Sequence, residues 1–81
     1  MKRVSGQNDT EANLKAVGRA IRARRKSLDI SQEALAHLAQ IDRSHMGKIE
    51  RGERNVTMLN LLKVAHALAC RPSELLDLAG L

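Results

Sequence analysis

Residues 40–53, QIDRSHMGKIERGE, combine cationic and hydroxyl side chains with a glycine inside a helical pattern. On a helical wheel at about 100° per residue, Met46 and Ile49 fall together and mark the side that packs against the rest of the chain. The opposite side is small and cationic, and it consists of Ser44, Gly47, Lys48 and Arg51, with Arg43 at its edge. Guanidinium, ammonium and hydroxyl groups on one side of a helix can donate several hydrogen bonds to an anionic or polar partner.

Gly47 needs an explanation, because a glycine inside a helix costs about 1 kcal/mol relative to alanine. One reason for it is the close approach of something large to the helix backbone, as happens when a helix lies in the major groove of DNA. There an arginine can reach guanine O6 and N7, a serine can donate or accept, and a lysine can bind guanine or phosphate. The alternative is a solvated surface helix with an incidental glycine, and this stretch alone leaves both open.

Other chemistries find little support in the sequence. His66 and Cys70 have the i, i+4 spacing of two metal ligands, but the chain has no second cysteine, and His37 and His45 fall in other helical patterns. A structural zinc site takes four ligands at a recognisable spacing, so we predict no metal or other cofactor and expect Cys70 to fill a small apolar site. No nucleophile lies in a known catalytic motif, and there is no glycine-rich phosphate loop or carboxylate pair. The sequence therefore predicts that the protein is not an enzyme.

The composition favours a small protein with a polyanionic partner. Its 81 residues suffice for one domain, and without Trp, Tyr or Phe the core must consist of Leu, Ile, Val, Met and Ala. The net charge of +5 suits nucleic acid or an anionic membrane. The first helical pattern is basic and amphipathic, which is also typical of membrane surfaces, but it lacks an aromatic anchor, so we expect core packing and no membrane partner. One cysteine, no signal peptide and no membrane span predict a cytoplasmic location, on the nucleoid when DNA is bound.

Capping residues and apolar spacing predict five short helices. Each begins at a residue suited to an N-cap or to a first helical position, namely Thr10, Ser31, Asp42, Thr57 and Pro72. Gly52 has the position that ends the third helix. The predicted apolar faces are Leu14, Val17, Ile21 and Leu28 in helix one, Leu35, Ala36, Leu38 and Ala39 in helix two, and Met58, Leu61, Leu62, Ala65 and Leu68 in helix four. No strand pattern or linker interrupts them, so we predict one compact all-α domain over residues 11–81, preceded by a flexible arm over residues 1–10.

Three stretches of the chain together carry a family resemblance: SQEALA, then IDRSHMGKIERGERN, then LLKVAHAL followed by RPSELL. With these stretches, residues 14–78 resemble the lambda-repressor-like family, the Cro or XRE type of small phage and bacterial regulators. The resemblance implies a five-helix DNA-binding fold in which helices two and three form a helix-turn-helix. It also implies that helix three is the recognition helix.

The resemblance assigns roles to individual residues, carried over by position. The residues that it places at base edges are Arg43, Ser44 and Lys48. Those that it places at DNA phosphates are Gln32, Arg51 and Arg54. A structural pair, Arg25 with Glu50, would fix the angle of helix three. The family often has glycine where this chain has Asp29, Gln40 and Ala69, so these turns are either strained or built with other geometry.

The last third of the chain differs from the rest in charge and in leucine content. Residues 19–54 hold nine Lys or Arg against five Asp or Glu, a net charge of +4, whereas residues 55–81 hold two of each. Several leucines there exceed what one apolar face needs, namely Leu59, Leu75, Leu76, Leu78 and Leu81. They are either an ordinary scatter of exposed leucines or the interface of a homodimer, formed mainly by a C-terminal dimerisation helix.

These observations predict a sequence-specific DNA-binding transcriptional regulator that acts as a homodimer on a palindromic operator. A phage-type repressor and a restriction–modification controller both suit a chain of this size. Three alternatives stay open: an antitoxin that binds a toxin and represses its own operon, a protein-interaction module that keeps the fold without binding DNA, and a non-specific nucleoid or RNA-binding protein. Exposed aromatic residues for stacking on RNA bases are absent, which disfavours the RNA-binding alternative.

Overall fold

The computed structural model describes residues 9–81, and the predicted arm over residues 1–10 lies outside this range except for its last two residues. The described chain folds into five helices: α1 (Thr10–Ser27), α2 (Gln32–Ala39), α3 (Arg43–Glu50), α4 (Met58–Ala67) and α5 (Pro72–Leu78). Helix α1 packs against α3 and α5, α2 packs against α3 and α4, and α4 packs against α5. The all-α prediction is therefore confirmed. None of the helices in this range is long and apolar enough to cross a membrane.

Local side-chain caps begin most of these helices as the sequence predicts. The Ser31 hydroxyl accepts from the N–H of Ala34 at 3.0 Å, and the Thr57 hydroxyl accepts from the N–H of Asn60 at 3.1 Å. At the start of α1 the prediction is one residue late, because the cap is Asp9 rather than Thr10. The Asp9 carboxylate accepts a hydrogen bond from the N–H of Ala12 at 3.0 Å, so Thr10 lies inside the first turn.

The core is aliphatic, and every helix contributes to it. Its fully buried large side chains are Ile21, Leu35, Met46, Ile49, Val64, Leu68 and Leu75. Leu75 was predicted at a dimer interface, and that assignment is wrong, because only 1% of the residue is exposed. It lies on the side of α5 that packs against α1 and α4 within one chain. Leu76 is half-buried against the same core.

Several leucines and a methionine assigned to apolar faces are exposed instead. Leu28 is 38% exposed and Leu38 is 58% exposed, while Met58 and Leu62 on α4 are 70% and 45% exposed. Five short helices have too few neighbours to cover every residue of each apolar face. Ala36, Ala39 and Ala65, which were predicted on the same faces, are buried as expected. Leu59, Leu78 and Leu81 are also exposed, by 62%, 57% and 61%.

All five helices of the described chain end with the same pair of backbone hydrogen bonds. One residue in the left-handed conformation bonds the carbonyl three residues back, and the residue after it bonds the carbonyl five residues back. The left-handed residues are Asp29, Gln40, Gly52, Ala69 and Gly80, with φ between 56° and 82°. Three of them are not glycine, so the strained alternative for these turns is the one the structure adopts.

Ala69→Gly tests this strain. Relief of the left-handed backbone is worth about 1–2 kcal/mol, and the extra freedom of glycine in the unfolded chain offsets about 0.5–1 kcal/mol of it. We expect a net gain of about 0.5–1 kcal/mol in the free energy of unfolding, measured by urea titration. The control is Ala23→Gly, at an exposed position inside α1, which should lose about 1 kcal/mol. Equal losses in both variants would mean that Ala69 carries no strain.

Candidate nucleic-acid interface

Helices α2 and α3 form a helix-turn-helix around a three-residue turn. Ala36 and Ala39 are buried in α2, where their small side chains let the two helices approach closely. Gln40 turns the chain in the left-handed conformation, with φ 57°, and Ile41 follows it into the core. Asp42 then caps α3. The turn therefore sets the angle between the helices through one strained residue and one buried anchor.

Helix α3 has two different sides. On one side, Met46 and Ile49 are fully buried in the core. Arg43 and Ser44 are exposed at its first turn, and Lys48 is half-buried one turn later. The three residues predicted to contact base edges thus share the solvent-facing part of an eight-residue helix.

Asp42 organises the start of α3. Its Oδ2 accepts from the Ser44 hydroxyl at 2.6 Å and from the backbone N–H groups of Ser44 and His45 at 3.1 and 3.4 Å. These bonds, the hydroxyl bond first, hold the pKa of the Asp42 carboxyl below its ordinary value. Since the Ser44 hydroxyl donates to Asp42, it is the lone pairs of its oxygen that face outward as acceptors.

A buried ion pair fixes the far end of α3. Arg25 donates from Nε to Glu50 Oε2 at 2.8 Å and from Nη2 to Oε1 at 3.0 Å, so the resemblance-based pairing is present in the structure. The side chains are 11% and 3% exposed. The hydrogen bond to Glu50 raises the pKa of the Arg25 guanidinium, against the opposing effect of burial. Arg25 also donates from Nη1 to the carbonyl of Ile30 at 3.1 Å, which ties the end of α1 to the segment before α2.

Two glycines let α1 lie directly on the end of α3. A Cβ at Gly18 would collide with the carbonyl oxygen of Glu50 and lie 2.6 Å from that of Ile49. A Cβ at Gly52 would lie 2.6 Å from Cγ of Lys15, and the backbone of Gly52 has φ 74° as well. The sequence reasoning identified Gly52 but missed Gly18, although a buried glycine inside a helix is itself a signal of close packing.

Gly47 is buried, so the prediction that it faces outward is wrong. The side chains of Gln32 and Arg51 lie over it. A Cβ at Gly47 would be 3.3 Å from Gln32 Oε1 and 3.2 Å from Arg51 Nη1. The missing side chain therefore makes room for two polar side chains of this same protein.

The residues predicted to contact phosphates occupy different surroundings. Gln32 is half-buried, and its Nε2 donates to Glu50 Oε1 at 3.2 Å. Arg51 is exposed but forms a two-bond pair with Glu53, at 3.0 and 3.3 Å, and that pair lowers the pKa of the Glu53 carboxyl. Arg54 is exposed beyond the Gly52 turn. Gln32 and Arg51 therefore meet around Gly47, whereas Arg54 lies beyond the helix.

Within residues 9–81, no three His, Cys, Asp or Glu side chains lie close enough together to hold a metal ion. Cys70 is a half-buried free thiol, and burial raises its pKa above the ordinary value. The thiol packs against the edge of the core, where a protonated thiol acts as a small hydrophobic residue.

Comparison with known proteins places this geometry among helix-turn-helix proteins. Residues 21–75 match the helix-turn-helix family. The chain is 43% identical over 49 residues to control protein C.BamHI of Bacillus amyloliquefaciens, covering 60% of each chain. It is 39% identical to repressor protein C2 of Salmonella phage P22, covering 79% of this chain and 30% of that one. The crystal structure of the restriction–modification controller protein C.AhdI from Aeromonas hydrophila superimposes with a TM-score of 0.78 at 47% identity, covering 79% of this chain and 97% of that one.

Glu50→Gln tests the buried ion pair. The substitution keeps the shape of the side chain but leaves the Arg25 charge without its partner inside the protein, so we expect a loss of about 3 kcal/mol in the free energy of unfolding. Urea titration measures it. Glu53→Gln is the matched control, because it removes the same charge from an exposed pair and should barely change the unfolding midpoint. Similar midpoints for the two variants would show that the buried pair does not hold α3 in place.

Proposed function

This chain belongs to the helix-turn-helix family, and on that premise we propose that it is a sequence-specific DNA-binding transcription regulator that acts as a homodimer. The observation that carries the proposal is the division of α3 into two sides. Its buried side and its end are held by the core and by the Arg25–Glu50 pair. Its first turn presents Arg43 and Ser44 to solvent, supported by Lys48.

A helix held in this way can read base edges in the major groove. Arg43 at the first turn can donate two hydrogen bonds to guanine O6 and N7, and Lys48 can donate to guanine or phosphate. Ser44, whose hydroxyl donates to Asp42, would accept from an exocyclic amino group of adenine or cytosine. In the described chain neither Arg43 nor Lys48 is held in an ion pair, so both cations are available to a partner.

Contacts to phosphates would place the helix in the groove. Gln32 at the start of α2 and Arg51 at the end of α3 meet around Gly47, and Arg54 follows the Gly52 turn. Phosphate contacts orient a protein on DNA without reading its sequence, and each one makes binding weaker as salt increases. The positive charge of residues 19–54 supports the same use of this part of the surface.

A dimer would follow from the size of the module. A single DNA-binding module buries only about 600–1,000 Å² of protein surface on DNA. Two copies with recognition helices roughly 34 Å apart contact successive major grooves, which doubles the contacts of one binding event. The exposed leucines of the neutral last third, Leu59, Leu78 and Leu81, are candidates for the surface between the copies.

The similarity to controller proteins and to a phage repressor favours regulation of transcription over the other uses of the fold. These relatives do not support the antitoxin alternative, because none is described as the partner of a toxin. A protein-interaction module that binds no DNA is the remaining alternative, and it predicts no salt-dependent binding to any duplex. Selection of duplexes from a random library, followed by competition with bulk DNA, separates the two. That the protein is not an enzyme stays a prediction.

Arg43→Ala should cost about 1–3 kcal/mol of binding to the selected duplex and relax the preference at one base pair of each half-site. The control is Arg54→Ala, which should weaken binding to selected and random duplexes by the same factor, because a phosphate contact carries no sequence information. Fluorescence anisotropy at fixed salt measures both. An equal loss on both duplexes for Arg43→Ala would reassign this arginine to a phosphate.

Leu78→Glu should give a folded monomer that binds the palindromic duplex far more weakly than any single phosphate-contact variant. Leu78 is 57% exposed, so the substitution removes no core side chain, whereas the half-buried Leu76 would disturb the fold. Sedimentation at micromolar concentration measures the association. Leu38→Glu is the matched control, because Leu38 is equally exposed, at 58%, but lies in α2 outside the neutral third. A wild-type chain that sediments as a monomer would rule out this dimer.

A further inference from the structure

A polar recess lies where α1, the start of α2 and the end of α3 meet. It has a volume of about 240 Å³, and it is lined by Arg22, Arg25, Gln32, Glu50 and Arg51. Three arginines and one glutamate therefore line the same recess. Arg22 is not part of the Arg25–Glu50 ion pair, and the family resemblance gave Arg22 no role.

The charges of the recess are not equally available to a ligand. Glu50 is neutralised by Arg25 through two hydrogen bonds, so this buried pair forms a neutral floor. The charge of Arg51 is partly neutralised by its ion pair with Glu53. Arg22 is exposed and forms no ion pair with any residue that the structure describes. Its charge is the one that an incoming anion meets without a competing carboxylate.

The recess also brings together hydrogen-bond donors from three parts of the chain. Gln32 Nε2 uses one hydrogen on Glu50 Oε1 at 3.2 Å, which defines the amide orientation and leaves its second hydrogen free. Arg51 extends over Gly47 beside the Gln32 amide. Arg22 joins them from α1, so donors from three helices line the same space. A phosphate group, with several acceptor oxygens, is the ligand that such a fork of guanidinium and amide donors suits.

We propose that Arg22, Gln32 and Arg51 form one seat for a single backbone phosphate of the DNA duplex, and that Arg22 is its principal charge. This inference rests on the proposed DNA-binding function and extends it to a residue of α1. The neutral Arg25–Glu50 floor keeps the donors in position whether or not a phosphate is bound. Gly47 contributes by its lack of a side chain, since a Cβ there would press on both Gln32 and Arg51.

The first test is the salt dependence of binding to the duplex selected from a random library. Each neutralised phosphate contributes about 0.9 to the slope of log K against log salt concentration. Arg22→Gln removes one phosphate contact from each copy of the dimer, so it should lower that slope by about 1.8, and its affinity deficit should shrink about 12-fold between roughly 50 and 200 mM salt. Arg22→Lys keeps the charge and should restore most of the slope. Thermal melts should match the wild type, because Arg22 holds no described ion pair.

Arg19→Gln is the matched control. It removes the same charge from an exposed position about one turn earlier on α1, but Arg19 does not line the recess. A local seat predicts a much smaller change of slope for Arg19→Gln than for Arg22→Gln. Equal changes in the two variants would show that only the overall charge matters, and that result would overturn the seat.

The second test identifies the phosphate itself. Neutral methylphosphonate groups are introduced along the selected duplex at one position at a time, symmetrically in both half-sites. One position in each half-site should weaken the wild type about as much as Arg22→Gln does, and at that position the variant should lose no further affinity. A variant that stays as sensitive as the wild type at every position would overturn the seat while leaving the DNA-binding function intact. A wild type that binds no duplex in a salt-dependent way would overturn both proposals.

Discussion

The Arg25–Glu50 ion pair is the interaction on which the position of α3, the proposed recognition helix, depends. It joins residues that are 25 positions apart and ties α1 to the end of α3, while a further bond from Arg25 to Ile30 ties α1 to the segment before α2. Burying two charges is costly, and the mutual attraction in such a pair repays the cost only when the geometry is good. Here two short bonds and the third donor, Gln32, satisfy the carboxylate. The pair thus contributes to the position of α3 more clearly than to the net stability of the fold.

The backbone packing around this pair leaves little freedom for α3. Gly18 brings α1 against the last carbonyl groups of α3, and Gly52 brings the following turn against Lys15. An isolated helix of eight residues is not stable in water. Helix α3, the proposed recognition helix, is therefore stable only because α1, α2 and the core pack against it. The position of its exposed first turn depends on that packing.

The small size of the domain limits what its core can bury and how its helices end. The apolar core contains no aromatic residue and is built from aliphatic side chains and Met46. Three of the five helix ends in the described chain hold a non-glycine residue in the left-handed conformation. Leucines that five short helices cannot cover remain on the surface, at 57–62% exposure for Leu59, Leu78 and Leu81. Small domains of this kind bury a limited fraction of their surface. Association between copies would add apolar burial that one chain lacks, and in the proposed regulator it would also double the contacts with DNA.

The sequence by itself determined the local features of this protein. Ser31 and Thr57 each cap a helix by accepting from an N–H three residues ahead, and Gly52 ends α3 with hydrogen bonds to residues just before it. Such features depend on a few neighbouring residues, so they can be predicted from a short stretch of sequence. The family resemblance supplied the pairing of Arg25 with Glu50, which no local pattern contains. Only the tertiary structure decided which side of each helix is covered. Leu75 is buried while Leu38 and Leu62 are exposed, because burial depends on neighbours far away in the chain. Gly47 shows the reason most directly: the wheel places it outward, but Gln32, fifteen residues earlier, lies over it and uses the space that a side chain would fill.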